Sequence, residues 1–274
     1  MNAPRNPLRN MHQPLAAKMT HKKYISIAKD DLFSAMILLK SKQYPQSLFY
    51  TDQAIEKLCK YVIIKDKILT EEQLKSKIGH DSTKVFDIIT NYLIGKINES
   101  RENKYSDFVD DLITGKELLI KLRYKRKNDE LSEEDINGEL NIIKSYLFDN
   151  PPSPYDYLFI QKPEDLLNTL LDMNLIDKKE IPDFDLKILN NEFYNQILVL
   201  LKEYIEAAYK YQNYMMALIS LAGLFSTHWE TTRYPTQNLT PKDKYNENNL
   251  IIKYLQCFQD LTLELIMRFE NLKI

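Results

Sequence analysis

The chain has 274 residues, 28% charged and 44% hydrophobic, and its 37 Lys and Arg against 39 Asp and Glu give a formal net charge of -2. That balance provides no global attraction to nucleic acid or acidic membranes, so any such contact must be local. Five glycines are too few for the phosphate-cradling loops of nucleotide-cofactor enzymes, and two cysteines make no disulfide framework.

Residues 1–22 read as a disordered leader: Arg5, Arg9 and Lys18 are accompanied by three prolines, without the apolar block of a secretory signal. Translation starting at Met1 or at Met19 fits this equally. From Tyr24 to Lys42, apolar residues at Ile25, Ala28, Leu32, Ala35, Met36 and Leu39 fall at steps of three and four and describe one buried helix face. Tyr44-Pro45 breaks the pattern, because proline disfavours helix in its predecessor and suits the first turn of the next helix. The second helix, Gln46 to Ile64, turns Leu48, Thr51, Ala54, Ile55, Leu58 and Val62 inward and leaves Asp52, Gln53, Glu56, Lys57 and Lys60 on its more polar side. So short a connection makes the two helices antiparallel.

Thr70-Glu-Glu-Gln73 has capping-box spacing, in which the threonine hydroxyl and glutamine side chain satisfy orphan amides at a helix start. That helix ends at Gly79, His80 sits at the junction, and Asp81 or Ser82 caps a third main helix with Val85, Phe86, Ile88, Ile89, Tyr92 and Leu93. Helical spacing continues from Asn98 to Asn150, broken at Ser132 or at Asn137-Gly138. The run Lys121 to Lys127 is strongly basic and reads as a solvated helix end or as a nucleic-acid patch. Residues 149–154, with prolines at 151, 152 and 154, form an extended connector. Beyond it come a helix near Pro163 to Met173 and a long one from about Leu186 to Tyr211 that runs on toward Met215 to Thr227. The apolar stretch Met215 to Phe225 is too short for the ~20 residues of a membrane span and reads as a core helix. Thr227 to Asn246 is polar turn, and Leu250, Ile251, Tyr254, Leu255, Phe258, Leu261, Leu265 and Phe269 mark the last helix. The fold class is all-α.

The run from Ala28 to Ala35, the run Tyr44-Pro-Gln-Ser-Leu-Phe-Tyr-Thr-Asp-Gln-Ala-Ile-Glu-Lys57 and Gly79-His80-Asp81 resemble the HEPN superfamily of helical bundles. Thr232-Arg-Tyr-Pro235 before a closing amphipathic helix is similar to that family's Arg-Tyr-Pro turn. The resemblance implies an antiparallel helical bundle with additional inserted helices: 23–97 the first part, 98–185 a helical insertion, and 186–274 the long helix, turn and closing helix that complete the bundle. Two helical halves split near Pro151 are the alternative. It also implies abortive infection, toxin-antitoxin or phage-defence roles, a homodimer, RNA or a nucleotide as ligand, and a nucleotidyltransferase antitoxin as partner. The setting is a reducing cytoplasm, which two unpaired thiols, Cys59 and Cys257, fit.

For chemistry, no His-x-x-x-His and no paired cysteines occur, so no metal and no cofactor are expected. His228, Glu230 and Arg233 bring imidazole, carboxylate and guanidinium close together. A histidine can move the 2'-hydroxyl proton in RNA cleavage while an arginine holds the charged phosphate; the structural alternative is a helix-ending histidine and a loop-anchoring arginine. Asp52 and Glu56, one turn apart, are either a working carboxylate pair or a solvated outer face. Lys57, His80 and Tyr234 complete the binding candidates, with His80 also explained as a hydrogen-bonded joint between helices. Outside residues 1–22 no arginine is followed by a histidine with the four to six intervening residues of the family's ribonuclease motif; His228 and Arg233 run in reverse order. The sequence therefore supports a defence-type module that binds RNA, nucleotide or protein without the standard motif, with a metal-independent endoribonuclease using a rearranged site as the alternative.

Overall fold

A computed structural model of the chain describes residues 13–78, 84–92, 95, 132–149, 191–226, 228, 231–235 and 240–272. Helix α1 (Gln13–Lys40) begins inside the stretch expected to be an unstructured leader. Pro14 falls in its first turn, where a missing N–H does no harm, and Leu15 to Met19 are good helix formers. Helix α2 (Tyr44–Lys65) follows with Pro45 in its first turn. The stop between them is made before the proline is reached. Gln43 N–H bonds the Leu38 carbonyl at 2.8 Å and Lys42 N–H that of Leu39 at 2.9 Å, with Lys42 left-handed at φ 57°, the closure normally built around glycine. The same pattern ends α2, where Lys67 at φ 56° takes the glycine position and Ile68 N–H reaches back to the Ile63 carbonyl.

Helix α3 (Glu71–Lys77) carries the predicted capping box, Thr70 and Gln73 each bonding the other's backbone. The helical residues 84–92, α4, bury Val85, Phe86 and Ile89 as their spacing requires. Ser132, not Asn137-Gly138, is the break before α5 (Glu133–Phe148), and it caps that helix with Asp135. Helix α6 (Asn191–Phe225) joins the two expected pieces into one rod of 35 residues. Thr240 caps the short α7 (Pro241–Lys244). The last helix is split at Tyr254 into α8 (Leu250–Lys253) and α9 (Leu255–Asn271). Every described element is helical. The Pro-rich connector 149–154, apart from Asp149, the helix near Pro163 to Met173 and the basic run Lys121 to Lys127 lie outside the described residues.

Helices α1 and α2 are antiparallel, and the Ser47 hydroxyl donates to the Ala35 carbonyl at 2.8 Å across them. Helix α9 lies against both, and α6 packs on α2, α5 and α9. Gln259 of α9 donates through Nε2 to the hydroxyls of Ser47 and Thr51, each at 3.0 Å, and at the far end Glu270 pairs with Lys29. The core gathers Leu32, Leu48, Ile55, Leu58, Leu218, Phe225, Phe258 and Leu265, all at most 1% exposed. Cys59 is buried there, but Cys257 is exposed.

Helix α6 outruns its neighbours. Tyr211 hydrogen-bonds Asp66, the residue after α2, at 2.6 Å, and the Tyr214 ring packs edge-on to Phe269 near the end of α9. Arg268 covers Phe148, the last residue of α5, at 5.3 Å from the ring centroid. Three helices therefore finish at the level of Tyr211 to Tyr214, while residues 191–210 of α6 continue past them for about 30 Å at 1.5 Å per residue.

Candidate functional site

Helix α2 is central, packed by α1, α6, α7 and α9, and 14 of its 22 residues are buried. This corrects the expectation that Asp52, Glu56 and Lys60 lie on an outer polar side: they are 2%, 1% and 6% exposed. A solvated outer face is thus excluded for Asp52 and Glu56, because neighbours distant in sequence cover it. Burial of charge is tolerable only with partners. Glu56 has them: its Oε1 forms an ion pair with Lys60 one turn on, its Oε2 accepts from Gln53 Nε2 at 2.9 Å, and Lys57 stands 3.6 Å from the same oxygen. Lys57 in turn donates to Gln53 Oε1 at 3.0 Å. The result is a chain of polar contacts along α2 that links Gln53, Glu56, Lys57 and Lys60.

That chain sets the chemistry around it. Burial, then the Glu56 and Asp52 carboxylates, push the Cys59 thiol far up, with Lys60 only partly opposing, so Cys59 is an inert thiol. Asp31 of α1 is raised by burial, lowered in part by Lys57, and raised again by Glu56 and Asp30. Tyr24 is raised by burial, then by Glu71 and Glu56.

The second part is the loop after α6. His228 N–H closes on the Phe225 carbonyl at 2.9 Å and Thr232 N–H on the His228 carbonyl at 2.9 Å, a last helical turn that makes the loop base compact. His228 Nδ1 lies 2.8 Å from the hydroxyl of Tyr245, which is 1% exposed and also meets the Thr231 hydroxyl at 2.5 Å. Thr232 is buried, whereas Arg233, Tyr234 and Pro235 are exposed. The Arg233 guanidinium lies over the ring of Phe49 in α2, 4.9 Å from its centroid, and 6.0 Å from the centroid of Tyr234.

Phe49 stands three, four and seven residues before Asp52, Gln53 and Glu56, which places all of them on one face of α2. The Arg233 loop therefore crosses α2 about one turn above the charged chain. Of the candidates, Asp52, Glu56, Lys57, His228, Arg233 and Tyr234 are described, while Glu230 and His80 lie outside the described residues. Sequence reasoning missed Phe49, Gln53, Lys60 and Tyr245. Phe49 offered a signal, an aromatic on the polar side of an amphipathic helix; Tyr245, inside a polar turn region, offered none.

Among the described residues, no group of three or more His, Cys, Asp or Glu is placed to hold a metal ion, and no helix is long and apolar enough to cross a membrane.

Residues 21–145 match the family model of the HEPN domain. The match runs past residue 97 and ends within α5. No curated protein and no solved structure matches the chain.

Proposed function

For a chain that carries a HEPN domain over residues 21–145, we propose a role in prokaryotic defence or a toxin-antitoxin pair, as a module that binds RNA, a nucleotide or a protein partner without cutting RNA. The observation that carries this is the closure of the α2 charges: Glu56 is taken up by Lys60 and Gln53 at 1% exposure. A carboxylate so engaged is a structural group, not a base facing substrate. The absence of an arginine-to-histidine motif from residues 23–274 supports the same reading. Arg233, by contrast, is exposed at the loop and serves contact with an anionic partner.

One observation favours the ribonuclease alternative. The Tyr245 hydroxyl at His228 Nδ1 fixes one imidazole orientation, as a general base needs, with Arg233 as phosphate clamp and Glu230, outside the described residues, as the carboxylate candidate. Purified wild type, His228→Ala and Arg233→Ala, assayed for RNA degradation beside their unfolding midpoints, separate the two. The expected result is no cleavage by wild type and a lower midpoint for His228→Ala, by about 1 to 3 kcal/mol. Cleavage by wild type that drops by about 10² or more in folded mutants would refute the binding-module reading.

In the same reading residues 98–185 are a helical insertion, supported by α9 closing onto α1 and α2 through Glu270–Lys29 and Gln259. The assembly is a homodimer, for which light scattering of a purified sample should give twice 32.4 kDa.

A further inference from the structure

We infer that Arg233, laid on Phe49, and Tyr234 beside it form a platform that binds single-stranded nucleic acid by stacking and one phosphate contact. The inference rests on the binding-module reading and commits it to a place and a ligand chemistry. Tyr234 is 60% exposed, so much of its ring is open to a flat partner. It is not loosely held. Its loop is tied below by the Thr232 N–H to the His228 carbonyl and by Thr231 to the buried Tyr245 hydroxyl, and above by Pro235, which restricts the backbone of the residue before it.

Arg233 is held in the same way. Phe49 supports its guanidinium from below at 4.9 Å, and the Phe49 ring is itself braced edge-on by Tyr50 at 5.3 Å. A guanidinium held over a ring forms no hydrogen bond to it and keeps N–H groups for phosphate oxygens. No carboxylate among the described residues forms an ion pair with Arg233, so its charge is not spent within this part of the fold. One exposed ring beside one braced cation is the minimal unit of single-strand recognition, in which a base stacks and its phosphate is neutralised. The neighbouring α2 side chains, Gln46, Gln53 and Lys57, are polar, which suits a hydrated polynucleotide better than an apolar protein surface. Neither contact reads the 2'-hydroxyl, so RNA and DNA strands should bind alike.

The test uses fluorescein-labelled 12-mers of one sequence as single-stranded RNA, single-stranded DNA and RNA duplex, titrated by anisotropy against the full chain across a salt series. Tyr234→Ala should weaken single-strand binding about tenfold or more with an unchanged salt slope, and Tyr234→Phe should restore it. Arg233→Ala should weaken binding and reduce the salt slope by about 0.7, one phosphate's share on a single strand. Duplex, whose bases are not free to stack, should bind more weakly. Circular dichroism melts confirm that the variants are folded. Single-strand binding untouched by either alanine, or duplex bound as tightly, overturns the platform while leaving the binding module in place. Loss of the oligonucleotide by cleavage in the wild-type sample overturns the binding module itself.

Discussion

Helix α2 and the first half of α6 invert the usual rule of what a helix hides. Helix α2 buries Asp52, Glu56 and Lys60, whereas α6 exposes Val199 at 56% and Leu200 at 64%. The difference lies in what surrounds each helix. Four elements crowd α2, so even its charged stripe has no water to face and the charges must satisfy one another. Val199 and Leu200 lie in the part of α6 beyond the Tyr211 to Tyr214 level, where α2, α5 and α9 end, and no described element covers them. Amphipathic periodicity reports which residues share a face, not whether a face is covered.

The largest effect should come from breaking the α2 ion pair. Lys60→Met alone leaves buried Glu56 with only the more distant Lys57 as cation and should lower stability by up to about 3 to 5 kcal/mol. Glu56→Leu with Lys60→Met should return most of that, because an apolar pair of similar volume is close to neutral. Urea melts of both singles and the double measure it. A double mutant as weak as Lys60→Met would show that Glu56 has a task other than meeting Lys60.

Next in size is the polar bridge between α9 and α2. Gln259 is 0% exposed, and its Oε1 is buried without a hydrogen-bond partner while Nε2 serves two hydroxyls. Gln259→Ala should cost about 2 kcal/mol by cavity and lost bonds. Gln259→Met, which keeps the volume and removes the orphan oxygen, should cost less. Equal melting midpoints for the two would rule out the cavity as a source of the effect and leave the hydrogen bonds that both variants lose.

Between the two regions lies Asp66, where α6 leaves the bundle. Burial raises its carboxyl above the ordinary range, against the Tyr211 hydrogen bond and Lys65, which lower it. A raised folded value means that the stability it contributes is full below the unfolded pKa and is lost as pH rises through the folded one. Asp66→Asn keeps an oxygen for the Tyr211 hydroxyl and removes the charge. Its stability advantage over wild type should be absent in strong acid, grow as pH climbs from the ordinary aspartate value through the raised folded one, and level off above it. Thermal melts from pH 3 upward that keep a constant gap would contradict the assignment.

Much of this comparison was beyond the sequence. Spacing located α1, α2, the Thr70 capping box and the closing helix, because those depend on neighbours three or four residues away. The burial of Glu56 depends on how many helices surround α2, among them α6, α7 and α9 from a hundred or more residues later, and single-sequence periodicity cannot count them. Arg233 was legible as a candidate, yet its ring was not, since Phe49 lies at the other end of the chain. His228 was read as a neighbour of Arg233; its hydroxyl partner Tyr245 sits in a stretch with no period at all. The loop ends at Lys42 and Lys67 were hidden for a local reason, since lysine occupies a conformation that usually announces itself by glycine.

The smallest effect belongs to the exposed side of α6. Val199→Ser with Leu200→Ser should leave the unfolding midpoint within about 0.5 kcal/mol of wild type, as expected for surface positions. A loss above 1 kcal/mol would mean that this face is covered in solution.

Helix α6 also has a mechanical character. From Tyr214 to Phe225 it is embedded in the core, and at Tyr211 it is pinned to Asp66, so it is built as a cantilever and not as a lever. Deflection of such a beam grows with the cube of the length beyond its clamp and dies away inside it. A force on the outer turns would bend those turns and leave the root at rest. The loop that carries Arg233 begins beyond that root, and it is thereby insulated from whatever pulls on the opposite end of the same helix.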